Sequence, residues 1–278
     1  MEEIHFNTAD GWELPATLFK SASGKGPVVL VSCATGVPRR FYRHYAQFLC
    51  DEGACAVMTY DYRGMTGRIS QAQARTMRMS DWAVKDFPAA VEFLTARYPE
   101  ASLRGIGHSF GGQALGLSGV ANSFTRYMMV AAGSGYLGHT REFAKLTRAM
   151  NKIGWPIAAT LGYLPRWAGF GEPIPYGAFN QWRKWCNDPQ YLMSDATIAE
   201  RSRFKDVRIP ILAVGFEDDA WATRKSVEAL AEWYSNAAIR IHWYSGEDLR
   251  KPAGHLGFFR PDHRETLWPQ LADWLLHP

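Results

Sequence analysis

The stretch RGIGHSFGG, residues 104–112, joins an apolar predicted strand over 103–106 to a predicted helix of small residues over 111–119. It contains the pattern G-x-S-x-G, with its serine at position 109. A nucleophilic serine needs this spacing because it stands on a sharp, strained turn, where larger neighbours would clash with the strand and helix. The following helix also points free N–H groups at a reacting carbonyl oxygen. The stretch therefore predicts a nucleophile at Ser109; the alternative is a glycine-rich turn without chemistry.

The same glycines do not fit a phosphate-binding turn. A dinucleotide fingerprint that begins at Gly105 and Gly107 requires glycine at position 110, where the sequence has Phe110. The sequence also contains no HExxH motif and no cluster of cysteine and histidine. We therefore expect neither a cofactor nor a metal ion.

Outward from residue 109, predicted strands and helices alternate along the chain. The strands are 28–31, 56–60, 103–106, 127–132, 209–214 and 239–244, and the helices are 41–52, 81–97, 111–119, 223–234 and 266–276. Such alternation predicts a doubly wound, mostly parallel sheet with helices on both faces. Asp10-Gly11 predicts a hairpin before it, between strands over 4–6 and 14–19. Pro88 predicts an interruption of the helix that contains it.

Residues 136–205 break this alternation. They contain no β-branched run, and their many aromatic residues are interspersed with five prolines. Because loops beyond about 15 residues are uncommon, we expect a helical cap, inserted into an α/β core of residues 1–135 and 206–278. Most of its aromatic rings should pack internally, while a few line an apolar pocket between cap and core.

A serine hydroxyl becomes a good nucleophile when a histidine takes its proton and a carboxylate orients that histidine. In this architecture the acid follows a late strand, and the histidine lies in a loop before the last helix. The loop KPAGHLG, residues 251–257, places His255 there. Of the acidic residues 217–219, Asp218 is the predicted partner and Asp219 the alternative. All three could instead cap the helix that follows.

An oxyanion hole in such a site needs two N–H donors. One belongs to the residue after the nucleophile, Phe110, and the other to a loop after an early strand. The loop SCATGV, residues 32–37, is that loop, with Thr35 as the predicted donor and Gly36 as the alternative. Alternatively, this loop is an ordinary turn after a strand and has no role in catalysis. His108 is predicted to be a packed or hydrogen-bonded structural residue rather than a second base.

Several segments together resemble the α/β-hydrolase superfamily, and specifically a group of bacterial serine α/β-hydrolases. They are ATGVP at 34–38, YDYRG at 60–64, GHSFGG at 107–112, DDAW at 218–221 and GHLGFFR at 254–260. The resemblance covers the chain outside the cap, and it implies an eight-stranded sheet. By position it implies Ser109 as nucleophile, Asp218 as acid and His255 as base. It also implies that residues 61–64 shape the sheet rather than perform chemistry. Cys33-Ala34 stands where many relatives have His-Gly.

Composition excludes several classes of protein. The 278 residues include 31 lysines and arginines against 27 acids, a net charge of +4 that is too small and dispersed for a nucleic-acid-binding face. The acidic N-terminus is not a secretory signal, and no apolar run reaches the ~18 residues that span a bilayer. The four cysteines form no CxxC pair, so we expect free thiols and a cytoplasmic location.

Taken together, these patterns predict a cofactor-independent serine hydrolase that cleaves a small-molecule ester, thioester or amide. A carboxylesterase acting on a small apolar or aromatic substrate is the first choice. An acyltransferase that uses the same acyl-enzyme and a non-catalytic ligand-binding protein on the same scaffold are the alternatives.

Overall fold

The computed structural model describes residues 1–67 and 69–277. In chain order the strands are β1 (Glu2–Asn7), β2 (Glu13–Lys20), β3 (Val28–Ser32), β4 (Ala56–Tyr60), β5 (Leu103–His108), β6 (Arg126–Val130), β7 (Tyr163–Leu164), β8 (Ile174–Pro175), β9 (Pro210–Phe216) and β10 (Ala238–Tyr244). All except the short β7 and β8, which pair with each other, join one eight-stranded sheet. The predicted eight-stranded sheet is therefore confirmed.

The strand order across the sheet is β1-β2-β4-β3-β5-β6-β9-β10. β2 is antiparallel to both of its neighbours, and the other adjacent strands are parallel. The predicted hairpin turn at Asp10-Gly11 joins β1 to β2. β3 lies between β4 and β5, so the chain order reverses there, and open α/β sheets bind ligands at such a point. The register pairs Ser32 with Gly107, so the loops after β3 and β5 leave the sheet side by side.

Helices connect these strands. They are α1 (Arg43–Asp51), α2 (Gln71–Thr76), α3 (Met79–Asp81), α4 (Phe87–Arg97), α5 (Phe110–Ser118), α6 (Phe143–Arg148), α7 (Trp155–Leu161), α8 (Tyr176–Cys186), α9 (Arg224–Ala231) and α10 (Leu267–Leu276). The helix predicted over 81–97 consists of α3, a π-helical turn over Trp82–Asp86, and α4. Pro88 lies at the second position of α4, directly after the π-helical turn, and contributes no N–H to the helix. The helix continues from α3 to α4, so the irregularity next to Pro88 is a π-helical turn and not a break.

The core lies where the central strands meet the helices. β3 and β4 are buried along their whole length, which explains their unbroken apolar sequences. Trp82 stacks on Tyr62 with ring centroids 5.1 Å apart. Trp268 packs on Tyr45 at 5.0 Å and joins α10 to α1. These rings serve the packing of the core.

The segment at 61–64 ties neighbouring elements together, as the resemblance implies. Arg63 is buried and forms ion pairs with Asp86 at 2.6 Å and with Asp10 at 2.8 Å. Asp61 is buried and accepts the main-chain N–H of Arg39 at 2.6 Å. These buried charges are paired, and they link the hairpin turn, the π-helical turn and the segment before α1.

Residues 136–205 lie between β6 and β9 and contain α6, α7, α8, β7 and β8, all outside the large sheet. Some of their aromatic rings pack on one another, whereas Trp167 is 71% exposed. Phe179 is fully buried, and its ring centroid lies 6.0 Å from that of Phe170 and 6.2 Å from that of Trp182.

Across residues 1–67 and 69–277, no helix is both long enough and apolar enough to cross a membrane. The four cysteines are free, as predicted, and all of them are buried.

Candidate active site

Ser109 stands on the predicted strained turn. It follows β5 directly, precedes α5, and has φ 52° and ψ −110°, a conformation that costs energy for a residue with a side chain. A Cβ atom added to Gly107 would lie 2.4 Å from the carbonyl carbon of Gly111. One added to Gly111 would lie 2.4 Å from the main-chain oxygen of Ser32. Both glycines of the pattern are therefore required by the close approach of main chain.

The side chains of Ser109, His255 and Asp219 lie in one line of hydrogen bonds. His255 Nε2 is 3.0 Å from Ser109 Oγ, and His255 Nδ1 is 2.8 Å from Asp219 Oδ2. Because a carboxylate only accepts, Nδ1 carries the imidazole proton and Nε2 presents its lone pair. The Ser109 hydroxyl then donates to Nε2, as the predicted nucleophile and base require.

Asp219 is fully buried and is held as an acceptor on both oxygens. Oδ1 accepts the N–H groups of Trp221 at 2.7 Å and Ala222 at 3.0 Å, while Oδ2 faces His255. Burial acts to raise the pKa of this carboxyl, but the interactions with His255 and the hydrogen bonds from Trp221 and Ala222 outweigh it and lower the pKa. The carboxyl therefore remains an anion beside the imidazole.

The predicted first choice of acid, Asp218, does not contact His255, and the carboxyl that does is that of the alternative, Asp219. Asp218 is exposed, and its Oδ1 accepts the N–H of Gly254 at 2.9 Å. The prediction counted three residues from a strand ending near position 215, whereas β9 continues to Phe216. A turn closed by the Asp219 N–H and the Phe216 carbonyl, 3.1 Å apart, then directs residue 219 inward.

The N–H groups of Phe110 and Thr35 stay the predicted oxyanion donors. Phe110 begins α5, so its N–H has no acceptor within the helix. In the loop after β3, the N–H of Ala34 donates to Tyr42 Oη at 2.9 Å, and that of Val37 donates to the Ala34 carbonyl. Thr35 lines a cavity with Ser109, which favours it over the alternative, Gly36.

His108 links three loops of the site. Tyr42 Oη, which accepts from Ala34, lies 2.9 Å from His108 Nδ1 and donates its proton there. His108 Nε2 then carries the imidazole proton and donates it to the main-chain oxygen of His255, 2.7 Å away. Burial lowers the pKa of His108 to about 3, so this imidazole is neutral. The prediction of a hydrogen-bonded structural residue is confirmed; the sequence carried no signal for Tyr42.

Two cavities meet at Ser109, and both are lined by Thr35, Ser109, Trp182, Trp221 and His255. The inner compartment, about 40 Å³, is completed by Phe110, Gln113, Tyr191, Ser226 and main chain between 131 and 135. The outer compartment, about 210 Å³, is completed by Val37, Phe170, Leu256 and neighbouring glycines. Trp182 and Trp221 stack with ring centroids 6.1 Å apart and wall both. A larger cleft of about 620 Å³ between α2 and α8 includes neither Ser109 nor His255.

Solved structures with a similar fold include two esterases and a peptidase. An esterase of Pyrococcus furiosus is 16% identical with a TM-score of 0.61, over 99% of this chain and 89% of that one. An esterase of Exiguobacterium antarcticum is 14% identical with a TM-score of 0.60, over 99% of each chain. An acylaminoacyl peptidase of Pyrococcus horikoshii is 13% identical with a TM-score of 0.64, over 99% of this chain and 41% of that one. At these sequence identities, the similarities show a shared fold only.

A search of curated proteins found no match to this sequence. The model of the alpha/beta hydrolase family, in contrast, matches residues 28–264, which include β3 to β10 and the Ser109, Asp219 and His255 cluster. With the eight-stranded sheet and the strained serine turn described above, this match shows that the chain belongs to the alpha/beta hydrolase family.

Proposed function

We propose that the protein is a serine hydrolase that cleaves carboxylic esters of small molecules through an acyl-enzyme on Ser109. The observation that carries the proposal is the line of hydrogen bonds from Ser109 Oγ through His255 to Asp219, at 3.0 Å and 2.8 Å. An activated serine needs a hydroxyl in contact with an imidazole. The tautomer of that imidazole must be fixed, and a buried anion fixes it. The structural neighbours described as esterases support the same chemistry.

In the first half of the reaction, Ser109 Oγ attacks the ester carbonyl carbon while its proton moves to His255 Nε2. The resulting imidazolium is stabilised by the Asp219 carboxylate. The carbonyl oxygen becomes an oxyanion between the N–H groups of Phe110 and Thr35, each worth ~3 kcal/mol in such sites. When the tetrahedral intermediate collapses, the bond to the leaving oxygen breaks, and that oxygen takes the proton from His255. An alcohol leaves and the acyl-enzyme remains.

In the second half, water takes the place of the alcohol. His255 Nε2 accepts one proton of the water as its oxygen attacks the acyl carbon. Collapse of this second intermediate breaks the bond to Ser109 Oγ, which recovers its proton from the imidazolium. The acid is released, and the enzyme returns to its initial state with atoms and charges balanced.

Residues 136–205 serve in this proposal as the cap over the site. The N–H of Glu172 donates to the Gly36 carbonyl at 2.7 Å, which attaches the cap to the loop that carries Thr35. A Cβ on Gly36 would lie 2.0 Å from the Phe170 carbonyl, so this contact requires glycine. The cap also contributes Trp182, and through it the apolar wall of both compartments.

The test uses a fluorophosphonate probe and p-nitrophenyl esters of increasing acyl length. We expect the probe to label the wild-type protein and to leave Ser109→Ala unlabelled, and ester turnover to be lost in the same variant. Ser194→Ala, a cap serine whose hydroxyl donates to the Tyr191 carbonyl at 2.9 Å, is the matched control and should keep both. Labelling that persists in Ser109→Ala, or the absence of turnover by the wild-type protein with every ester, would contradict the proposal.

A further inference from the structure

Two residues that line the inner compartment each carry a polar side-chain atom that has no partner. Gln113 and Ser226 are 4% and 1% exposed. Within the described chain, Gln113 Oε1 and Ser226 Oγ are buried and have no hydrogen-bond partner. Both residues line the inner compartment together with Ser109. A buried polar group without a partner costs about 1–3 kcal/mol, so two such atoms on residues that line one cavity beside Ser109 require an explanation.

The orientation of the Gln113 amide follows from its surroundings. Its Nε2 lies 2.8 Å from the Gly133 carbonyl, which can only accept, so the nitrogen occupies that position and Oε1 remains free as an acceptor. Gln113 lies four residues after Ser109, one helical turn along α5, and therefore on the same face of the helix as the nucleophile.

Ser226 lies near Gly133 as well, and its main chain is held by two hydrogen bonds. Its carbonyl accepts the N–H of Ser134 at 2.9 Å, and its N–H donates to Thr223 Oγ1 at 3.3 Å. A Cβ on Gly133 would lie 2.1 Å from Ser226 Oγ, so glycine at 133 allows the hydroxyl to reach this position. The hydroxyl can donate or accept one further hydrogen bond.

Tyr191 belongs to the cap and lines the inner compartment. Its main chain is strained. Its φ is 53°, which is unfavourable for a bulky residue and persists only where the surroundings impose it. Its ring stacks on Trp233 with centroids 6.3 Å apart, and a Cβ on Gly135 would lie 2.7 Å from its hydroxyl. The compartment is therefore a built space with a fixed small size. Its 40 Å³ hold about three non-hydrogen atoms.

The two compartments suit different parts of an ester substrate. The outer one is larger and is bordered by Leu256, which is 36% exposed, so it gives the alcohol a way out and the water a way in. The inner one then receives the acyl group. Resting on the function proposed above, we propose that the inner compartment selects short acyl groups with a hydroxyl on the second or third carbon. Gln113 Oε1 accepts a hydrogen bond from this hydroxyl, and Ser226 Oγ is its second polar contact.

The test compares two pairs of ethyl esters in which a hydroxyl replaces a methyl group of similar size. They are 3-hydroxypropanoate against butanoate, and 2-hydroxypropanoate against 2-methylpropanoate, with acid release followed by titration at constant pH. Each kcat/KM ratio is divided by the ratio of the hydroxide-catalysed rates, which removes intrinsic reactivity. We expect at least one pair to favour the hydroxyacyl ester by about tenfold or more, because the alkyl ester leaves the buried polar atoms unpaired.

Two variants and a control test the assignment. Gln113→Leu removes the acceptor, and Ser226→Ala, the milder change, removes only a hydroxyl; each should reduce the corrected ratio to about one to three. Thr59→Val is the control, because Thr59 Oγ1 is also a buried hydroxyl without a partner but lies on β4, away from both compartments. It should keep the wild-type ratio.

The outcomes separate this inference from the function on which it rests. If fluorophosphonate labels Ser109 and the esters are hydrolysed, but both corrected ratios stay below about three, the compartment holds only water or a methyl group and the inference is wrong. A high ratio that persists in both Gln113→Leu and Ser226→Ala overturns it as well. Absence of labelling and of all ester hydrolysis overturns the proposed function itself, and the inference with it.

Discussion

His108 Nε2 lies 2.7 Å from the main-chain oxygen of His255, so the residue that precedes the nucleophile holds the loop that carries its base. The other nitrogen of His108 is bound to Tyr42, which in turn accepts the N–H of Ala34 next to the proposed oxyanion donor. One chain of hydrogen bonds thus crosses the loop after β3, the serine turn and the histidine loop. Because such chains are fixed by donor and acceptor roles, loss of one member displaces the others.

The Tyr42→Phe variant tests this chain. It removes the hydroxyl and leaves the Ala34 N–H and His108 Nδ1 without partners in a buried place, so we expect the free energy of unfolding to fall by about 2–3 kcal/mol. We also expect kcat for ester hydrolysis to fall about 10- to 100-fold while KM changes less than threefold, because small displacements of reacting groups slow the chemical step. Urea unfolding and steady-state kinetics measure the two effects.

Tyr45→Phe is the matched control. Tyr45 lies one turn further along the same segment and is equally buried, but its hydroxyl has no hydrogen-bond partner in the described chain. Its removal should leave kcat unchanged and keep the free energy of unfolding within about 1 kcal/mol of the wild-type value. Equal losses of kcat in both variants would show that the Tyr42 hydroxyl has no particular role.

The depressed pKa of His108 predicts a loss of stability in acid. The imidazole is neutral in the folded protein down to a pKa of about 3, whereas in the unfolded chain it takes up a proton below about pH 6.5. The unfolded state therefore binds one more proton between these values, and stability falls as the pH falls. The contribution is about 1.4 kcal/mol per pH unit, or about 2 kcal/mol at pH 5 relative to pH 7.

His108→Gln isolates this contribution. Glutamine can still donate to the His255 carbonyl and accept from Tyr42, but it does not titrate. Urea unfolding at pH 7 and pH 5 should show a decrease in stability for the wild-type protein that is larger than that of the variant by about 2 kcal/mol. The same pH dependence in both proteins would mean that His108 becomes protonated without unfolding.

Asp219 and Asp218 offer a matched pair of isosteric changes. In Asp219→Asn the amide no longer stabilises the imidazolium and can impose the wrong tautomer on His255, so kcat should fall by about 10³- to 10⁴-fold. In Asp218→Asn the side-chain oxygen can still accept the N–H of Gly254, and kcat should change less than threefold. A larger loss from Asp218→Asn than from Asp219→Asn would reassign the acid.

Gly111→Ala tests the steric argument for the serine turn. The added Cβ would meet the Ser32 main-chain oxygen at 2.4 Å, and main chain in the central sheet cannot move aside without disturbing the core. We expect a loss of about 3 kcal/mol in the free energy of unfolding. Gly246→Ala is the control, since a Cβ there meets nothing within 4 Å, and it should change stability by less than about 0.5 kcal/mol.

Local pattern was sufficient to predict the strands of the sheet and the strained turn at Ser109. Apolar runs such as Val28–Val31 indicate burial on both faces of a strand, and G-x-S-x-G indicates a strained turn between a strand and a helix. In that turn Gly107 is crowded by the following helix, whereas Gly111 is crowded by Ser32 of the neighbouring strand. The choice between Asp218 and Asp219 was beyond such reasoning. It depended on where β9 ends, and a shift of one residue in the turn exchanges an inward carboxylate for an exposed one.

Patterns within a few residues of chain were therefore enough for the alternating strands and helices and for the turn at Ser109. The number of strands came from the family resemblance, and His255 was selected by its place in a loop before the last helix. Tertiary structure alone decided that Asp219 faces His255, that Tyr42 and His108 connect the loops, and that Gln113 and Ser226 share one small cavity. The members of each such pair are separated by 36 to 147 positions or lie on different elements. Their contacts arise from strand order and helix packing, which no local spacing records.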